Sequence, residues 1–469
     1  MLKQYLPLSE ALNRAPFDLF QLRVVLTVGI GFFTVAYDLF IVTPVLSFIE
    51  QDFHVKASSF EISAVSSSVL LATCAGAIFW GALADKIGRS KLYTRLTPLL
   101  AILAIATALA PNIWSLIVLR ALLGLIIGGI YPLTAVLVCE YANAKDRGKL
   151  VGMAFAMQAV GTVIGPMIVL IFLASNISPS LGWHLLLGLG AVPALAAFLL
   201  GRTLPESPRF VSRVQGNTAK AASEIRAYSR GTVEASTKAE DLQRWHRLPR
   251  YLLPLIGTAG TWFVFDYAYY GNSIASPLIL HDVAPDATLI TKTFWTLVIF
   301  LVAAVPGYVL AFNTMDRIGH KRLQWIGFLG MGLAFLAIGL IPGITSTVVP
   351  FLLIYSISYF FAEFGPNTTT FVMSAELFPV NWRATAHGIA AGVAKFGAFL
   401  SVFVFQFVEG KAGLSGALEV TCVCSIAGCL LTLILPEPAG RTLEEVAHEN
   451  LSRSAATVST PAHVPITAP

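Results

Sequence analysis

Trp262, Asp266 and Tyr270 recur every four residues within TWFVFDYAYYG (261–271). On a helix that spacing sends all three from one face. The run around them, from YLLPLIGTAG (251–260) onward, is apolar enough to lie in lipid, where an unanswered carboxylate is expensive. An acid kept there either gains and loses a proton as part of a cycle or is hydrogen-bonded inside a bundle, for instance to a lysine. The indole N–H and phenol O–H on the same face would supply donors to a cavity wall. Lys395, in HGIAAGVAKFGAFLSVFVFQF (387–407), is too deep in its own apolar run to snorkel easily. It either attracts an anion or pairs with Asp266. Glu363 precedes Asn367 by four, so these two also share a helix face. The chemistry these residues offer is anion binding and proton exchange. No nucleophile–base set or metal-ligand cluster gathers at one membrane edge, no Walker A glycine loop exists to use a nucleotide, and no cofactor is expected.

The elements that must hold such residues are membrane helices. Charged residues make up 12% of the 469, about half the roughly 25% usual in soluble domains. Mean hydropathy is +0.74. Apolar runs of about 20 residues fall near 22–47, 62–84, 93–110, 114–140, 150–173, 183–201, 252–278, 293–313, 323–343, 348–373, 385–409 and 415–435. The formal charge of +5 is better read as Lys and Arg retained in cytoplasmic loops than as a nucleic-acid surface. The loops at 85–92, 143–149, 202–250 and 316–322 are basic, whereas 50–61 and 279–288 carry acids. By that asymmetry both termini and the central loop are cytoplasmic. Cys74, Cys139, Cys422, Cys424 and Cys429 lie in apolar runs without paired spacing and read as small core residues. His184, His320 and His387, lacking metal spacing, are expected mostly at interfaces. The N-terminus lacks a cleavage pattern.

The chain repeats itself. GALADKIGRSK (81–91) returns as FNTMDRIGHKR (312–322) and LPES (204–207) as LPEP (435–438), both 231 residues later. CEYANAKDRG (139–148) has a looser counterpart 236 residues on, in AELFPVNWRA (375–384). The reading is an all-α membrane protein of twelve helices in two six-helix halves of like orientation. Residues 1–201 form the first half, 202–250 a cytoplasmic loop, 251–446 the second half and 447–469 a disordered tail.

These motifs resemble the major facilitator superfamily, and within it the phosphate:proton symporters, across about residues 20–445. G-x-x-x-D-K-x-G-R (81–89), Arg120 with Gly124 and Gly128, and Gly161, Gly165 and Pro166 match superfamily signatures. PESPRF (205–210), with Glu140 and Arg147-Gly148, is shared with the sugar porters. The narrower likeness rests on AYDLF (36–40), GGIYPLTA (128–135), FAMQAVG (155–161), FGPNTTTF (364–371) and HGIAAGVAKFGA (387–398), together with the 261–271 stretch. It implies a phosphate pocket at Tyr131, Gln158, Trp262, Asp266, Tyr270 and Asn367, with Lys395 close by and Asp38 serving proton transfer. It also implies gating by Asp85, Gly88, Arg89, Asp316 and Arg317, whose loops would hold helix ends together until one half rocks against the other. Arg120 is either a conformational or proton-transfer element or a structural one.

Three positions depart from the family pattern. Ile130 stands where an Asp usually precedes the Tyr-Pro of helix 4, Leu96 where a Glu is usual, and Val35 where helix 1 usually has its first Asp. Glu363 is an acid the pattern does not include. It either compensates for those losses or is satisfied by a neighbouring helix. The expected function is a proton-coupled symporter moving phosphate or a similar small anion across the cell's inner (plasma) membrane by alternating access, with a monomer as the working expectation. An organic anion, such as a carboxylate or aromatic acid, is the second substrate class. A sugar is third, because helix 7 lacks the paired glutamines of sugar porters. A polytopic enzyme or receptor is the alternative outside transport.

Overall fold

A computed structural model describes residues 6–56, 60–175, 177–238, 249–274 and 276–449. Every regular element among them is helical. The long helices are α1 (Leu19–Phe40), α2 (Phe60–Ile87), α3 (Arg89–Ala108), α4 (Ile113–Tyr141), α5 (Arg147–Ala174), α6 (Pro179–Gly201), α7 (Pro249–Ile274), α8 (Leu289–Ile318), α9 (His320–Leu340) and α10 (Val348–Glu376). The run Arg383–Leu433 then turns at Gly413, where φ is 70°, and its arms are α11 and α12. The twelve spans expected from hydropathy are all present. Ten described helices are long and apolar enough to cross a bilayer. α7 and α11, which carry Asp266 and Lys395, are not among the ten. Outward faces carry side chains such as Ile102, Val118 and Leu333, each more than half exposed, as lipid contact requires. The short helix Leu443–Val446 follows α12, and Pro208–Arg213 and Thr218–Tyr228 follow α6. The expected disordered tail lies outside the described residues from 450 onward.

Local sequence sets where helices start and where they break. Asp18 and Gln21 close a capping box ahead of α1, and Asn112 with Ser115 does the same for α4. α6 breaks after Gly188 and resumes at Ala191. A Cβ on Gly190 would stand 2.2 Å from Asp38 Oδ1, so the break and the missing side chain admit that carboxylate. α8 and α10 each contain a π-helical turn, Phe300–Ala304 and Glu363–Asn367. Such turns are frequent at functional sites because they re-aim side chains.

α2 and α11 meet across the two halves on small residues. Cβ atoms added to Gly81 and Gly388 would lie 2.5 Å from the Ala384 carbonyl oxygen and 2.3 Å from that of Ala77. Backbones this close gain dispersion contact that larger residues would prevent, which is how membrane helices associate without a hydrophobic driving force.

Candidate functional site

α7 and α11 bring Asp266 and Lys395 together. Lys395 Nζ donates to Asp266 Oδ2 at 2.8 Å and to the Tyr270 hydroxyl at 2.9 Å. Asp266 is 1% exposed and Lys395 2%. Trp262 lies one turn before Asp266 on the same face, its ring 6.2 Å from that of Tyr131 between centroids, so the face read from the four-residue spacing lines this group. Tyr131 of α4 completes the group from the other half. Its ring centroid lies 4.7 Å from the Lys395 ammonium, and its hydroxyl is 3.5 Å from that of Tyr270. A cation over two tyrosine faces gains attraction that a dry site strengthens. On the side of the Asp85 and Asp316 contacts an aromatic floor follows: Phe32 meets Tyr131, Phe155 and Phe371 at 5.0–5.1 Å between centroids. On the opposite side Phe40 stacks on Tyr270 at 5.6 Å, again across the halves. The pair is therefore closed off above and below.

Asn367 belongs to a second polar group, one π-helical turn of α10 long. Its Nδ2 donates to Glu363 Oε2 at 2.5 Å and to the Tyr308 hydroxyl at 2.8 Å. Glu363 Oε1 has no partner, and the side chain is fully buried. It shares a face with Asn367, as the spacing implied, and through Asn367 it meets Tyr308 of α8. Gln158 is buried on α5, one turn beyond Phe155, and hydrogen-bonds to no described residue.

Asp38 lies apart from both groups, under the break in α6. Its Oδ2 has no partner, and the Arg120 guanidinium donates to its backbone carbonyl at 3.2 Å while Arg120 Nη2 stays unpartnered. The departures from the family pattern are all apolar contacts here, with Val35, Leu96 and Ile130 each buried in the main core.

Two of the residues expected to gate, Asp85 and Asp316, make reciprocal contacts between the repeats. Asp85 accepts from the Ala384 and Thr385 amides at the start of α11, at 3.2 and 2.7 Å. Asp316 accepts from the Gly148 and Lys149 amides at the start of α5, at 3.1 and 2.7 Å. Each repeated aspartate thus caps a helix of the opposite half, where the N-terminal dipole and free N–H groups favour an anion. Arg383 bridges to Glu140 at 3.1 Å and Arg147 to Glu376 at 2.7 Å, a second reciprocal pair. Glu206 and Glu437, from the repeated Leu-Pro-Glu, cap α3 and α9 in turn. Gly88 and Gly319 take φ of 109° and 96° just before those caps. A side chain on Gly88 would strike Glu206, with its Cβ 2.2 Å from Oε2. Arg89 donates to Asp85 at 2.8 Å and to the Val380 carbonyl at 2.5 Å.

Arg317 is exposed and makes no ion pair among the described residues. One expectation needs correction. His320 and His387 are fully buried, not interfacial. His320 lies against Glu437 and Asp316, and His387 against Trp262. Tyr308, Tyr269 and the aromatic floor were not foreseen, since nothing separates their residue types from ordinary core. Arg383 and Glu376 had a signal: both lie in the 375–384 counterpart of the 139–148 stretch.

Residues 24–449 match the family model described as "Sugar (and other) transporter". Among curated proteins, the inorganic phosphate transporter 1-11 of Oryza sativa subsp. japonica is 30% identical over 95% of this chain and 90% of its own length. The low affinity inorganic phosphate transporter 3 of Petunia hybrida is 32% identical over 96% of each. Among solved structures, the proton:xylose symporter XylE bound to 6-bromo-6-deoxy-D-glucose superposes with a TM-score of 0.78 over 92% of this chain and 98% of that one, at 19% identity. Twelve helices, a twofold-repeated clamp and these alignments lead to one conclusion: the chain is a multi-pass membrane protein of the sugar (and other) transporter family, in the major facilitator superfamily, and its relatives over the full length include inorganic phosphate transporters.

Proposed function

We propose that the protein is a proton-coupled symporter for inorganic phosphate or a similar small oxyanion. The observation that carries this reading is the Lys395–Asp266 pair, ringed by the donors of Trp262, Tyr270 and Tyr131 between the halves. A lysine already held by a carboxylate exchanges that partner for an incoming oxyanion once Asp266 takes a proton. Anion and proton then enter together, and the buried charge stays balanced at each stage. Coupling matters because carrying phosphate inward against a negative-inside potential costs about 2.3 kcal/mol per charge per 100 mV. Gln158 and Asn367 complete the pocket, Asp38 serves the outer end of the proton path, and Glu363 stands in for the acids absent at Ile130, Leu96 and Val35. Asp85, Gly88, Arg89 and Asp316 act as the cytoplasmic gate.

The protein is not an enzyme in this reading. It lies in the plasma (cell inner) membrane as a monomer with both termini cytoplasmic, its halves being 1–201 and 251–446, joined by 202–250 and followed by the tail 447–469. Labelled phosphate uptake into proteoliposomes tests it. Accumulation should require an inward proton gradient and collapse with a protonophore; gradient-independent or absent uptake would remove the reading. The aromatic floor of Phe32, Phe155 and Phe371, with Ile130 buried nearby, favours one second reading, an aromatic or aliphatic carboxylate. Benzoate or a dicarboxylate competing better than arsenate in the same vesicles would select it.

A further inference from the structure

His387 lies on α11 between two sites that hold their partners tightly. Residues 384 and 385, within its own first turn, are capped by Asp85 and pressed against Gly81. Lys395 follows eight residues later, about 12 Å along the helix. The imidazole is fully buried, and neither ring nitrogen has a hydrogen-bond partner. Its ring meets Trp262 and Phe371 edge to face, at 5.4 and 5.2 Å between centroids. Trp262 therefore touches His387 and lies one helical turn from Asp266 on α7.

A buried imidazole with no side-chain partner costs the fold desolvation, and a leucine or phenylalanine would fill the same aromatic cluster without that cost. The buried acidic, basic and imidazole groups on the elements around it are Asp85 on α2, Arg120 and Glu140 on α4, Asp266 on α7, His320 on α9, Glu363 and Glu376 on α10, and Arg383 and Lys395 on its own helix. None of them hydrogen-bonds to it. With the clamp closed the ring is dry. When the contacts of Asp85 with residues 384 and 385 part, the first turn of α11 is freed to water, and His387 is the first titratable group met between the gate and the pocket.

We propose that His387 is the proton-accepting station on the cytoplasmic side of the pocket, a deepening that rests on the symport reading above. In the open state the Asp266 O–H breaks, and water carries that proton to a ring nitrogen of His387, where an N–H forms. The imidazolium then gives up a proton to cytoplasmic water, leaving a neutral ring and an ionised Asp266 that recaptures Lys395.

The test compares His387→Gln and His387→Phe with wild type in proteoliposomes, using labelled phosphate. Net uptake requires release of the proton inside, whereas phosphate–phosphate exchange does not. Internal pH is varied between about 6 and 8, where histidine ordinarily changes charge, with external pH fixed. Wild-type net uptake should fall severalfold as the interior is acidified. Both variants should keep exchange but lose the dependence on internal pH while keeping that on external pH. A wild-type internal-pH profile in either variant that exchanges normally overturns this inference alone. So does an equal loss of exchange and net uptake in protein that remains monodisperse. A wild type that moves no phosphate in either assay overturns the symport reading and this inference with it.

Discussion

Lys395 and Asp266 are each expensive in lipid and together nearly neutral. Removing one partner of such a pair leaves an uncompensated charge worth about 3–5 kcal/mol. Asp266→Asn keeps the size and can still accept from Lys395, but it cannot titrate. It should therefore abolish gradient-driven accumulation while the protein remains folded, and exchange should persist because a neutral side chain leaves Lys395 free for the anion. Glu363→Gln probes a different role. Its carboxylate touches Asn367 rather than Lys395, so this variant should lower proton-driven accumulation about tenfold or more, equivalent to about 1.4 kcal/mol, and spare exchange. Parallel exchange and accumulation assays on the two variants check both. Identical behaviour would mean that the two acids form a single functional group.

At the scale of helices, the clamp is built from ends. Asp85 makes three bonds to residues 384 and 385, including one at 2.7 Å from the Thr385 hydroxyl. Bonds to a charged group contribute about 1.5–3 kcal/mol each, and asparagine loses the charge and part of the acceptor capacity. A loss of about 2 kcal/mol would shift the closed-to-open ratio about thirtyfold. Asp85→Asn and Asp316→Asn should each broaden the distance between spin labels on the clamp ends of α2 and α11, and the double variant more so. Unchanged distributions in all three would show that the clamp does not hold the closed state. The small residues facing across α2 and α11 give this contact its tightness, and they also let it separate cleanly, with no long side chains to disentangle.

The whole molecule is fastened once more outside the membrane. Glu444, after α12, accepts from Arg213 at 2.7 Å, from Arg209 at 3.3 Å and from Asn13 at 2.8 Å, joining the segment after α6 to both ends of the chain. Burial would raise its carboxyl, but the Arg213 and Arg209 guanidiniums and the Asn13 amide outweigh burial and hold it well below the usual carboxylate range. A depressed native value means the stability is fully present above the unfolded value, about 4.3, and is lost as pH falls from there toward the native one. Thermal midpoints of detergent-purified protein should therefore drop below about pH 4, and Glu444→Gln should flatten that drop while lowering the plateau at neutral pH. An unchanged profile in the variant would assign the acid sensitivity elsewhere.

Local pattern determined a great deal by itself. Twelve spans followed from apolar run length, because lipid demands about 20 such residues per crossing. The face of Trp262, Asp266 and Tyr270 followed from the helical period, and the repeat at 231 residues placed Asp85 and Asp316 as counterparts. Even the pairing of Asp266 with Lys395 was one of two readings left open by the cost of burying either alone. Only the tertiary structure decided between those readings, and only it showed that each gate aspartate caps the opposite half. It also separated Asn367 and Glu363 from the lysine, left Arg317 in solvent, and enclosed His387 against Trp262. The physical reason is that period and hydropathy are properties of one helix, whereas partnership is a property of two. Which aspartate meets which amide depends on helix crossing, on a break at Gly190 or a π-helical turn at Glu363, and on glycines that let backbones touch. None of these leaves a local trace that distinguishes a ligand from core.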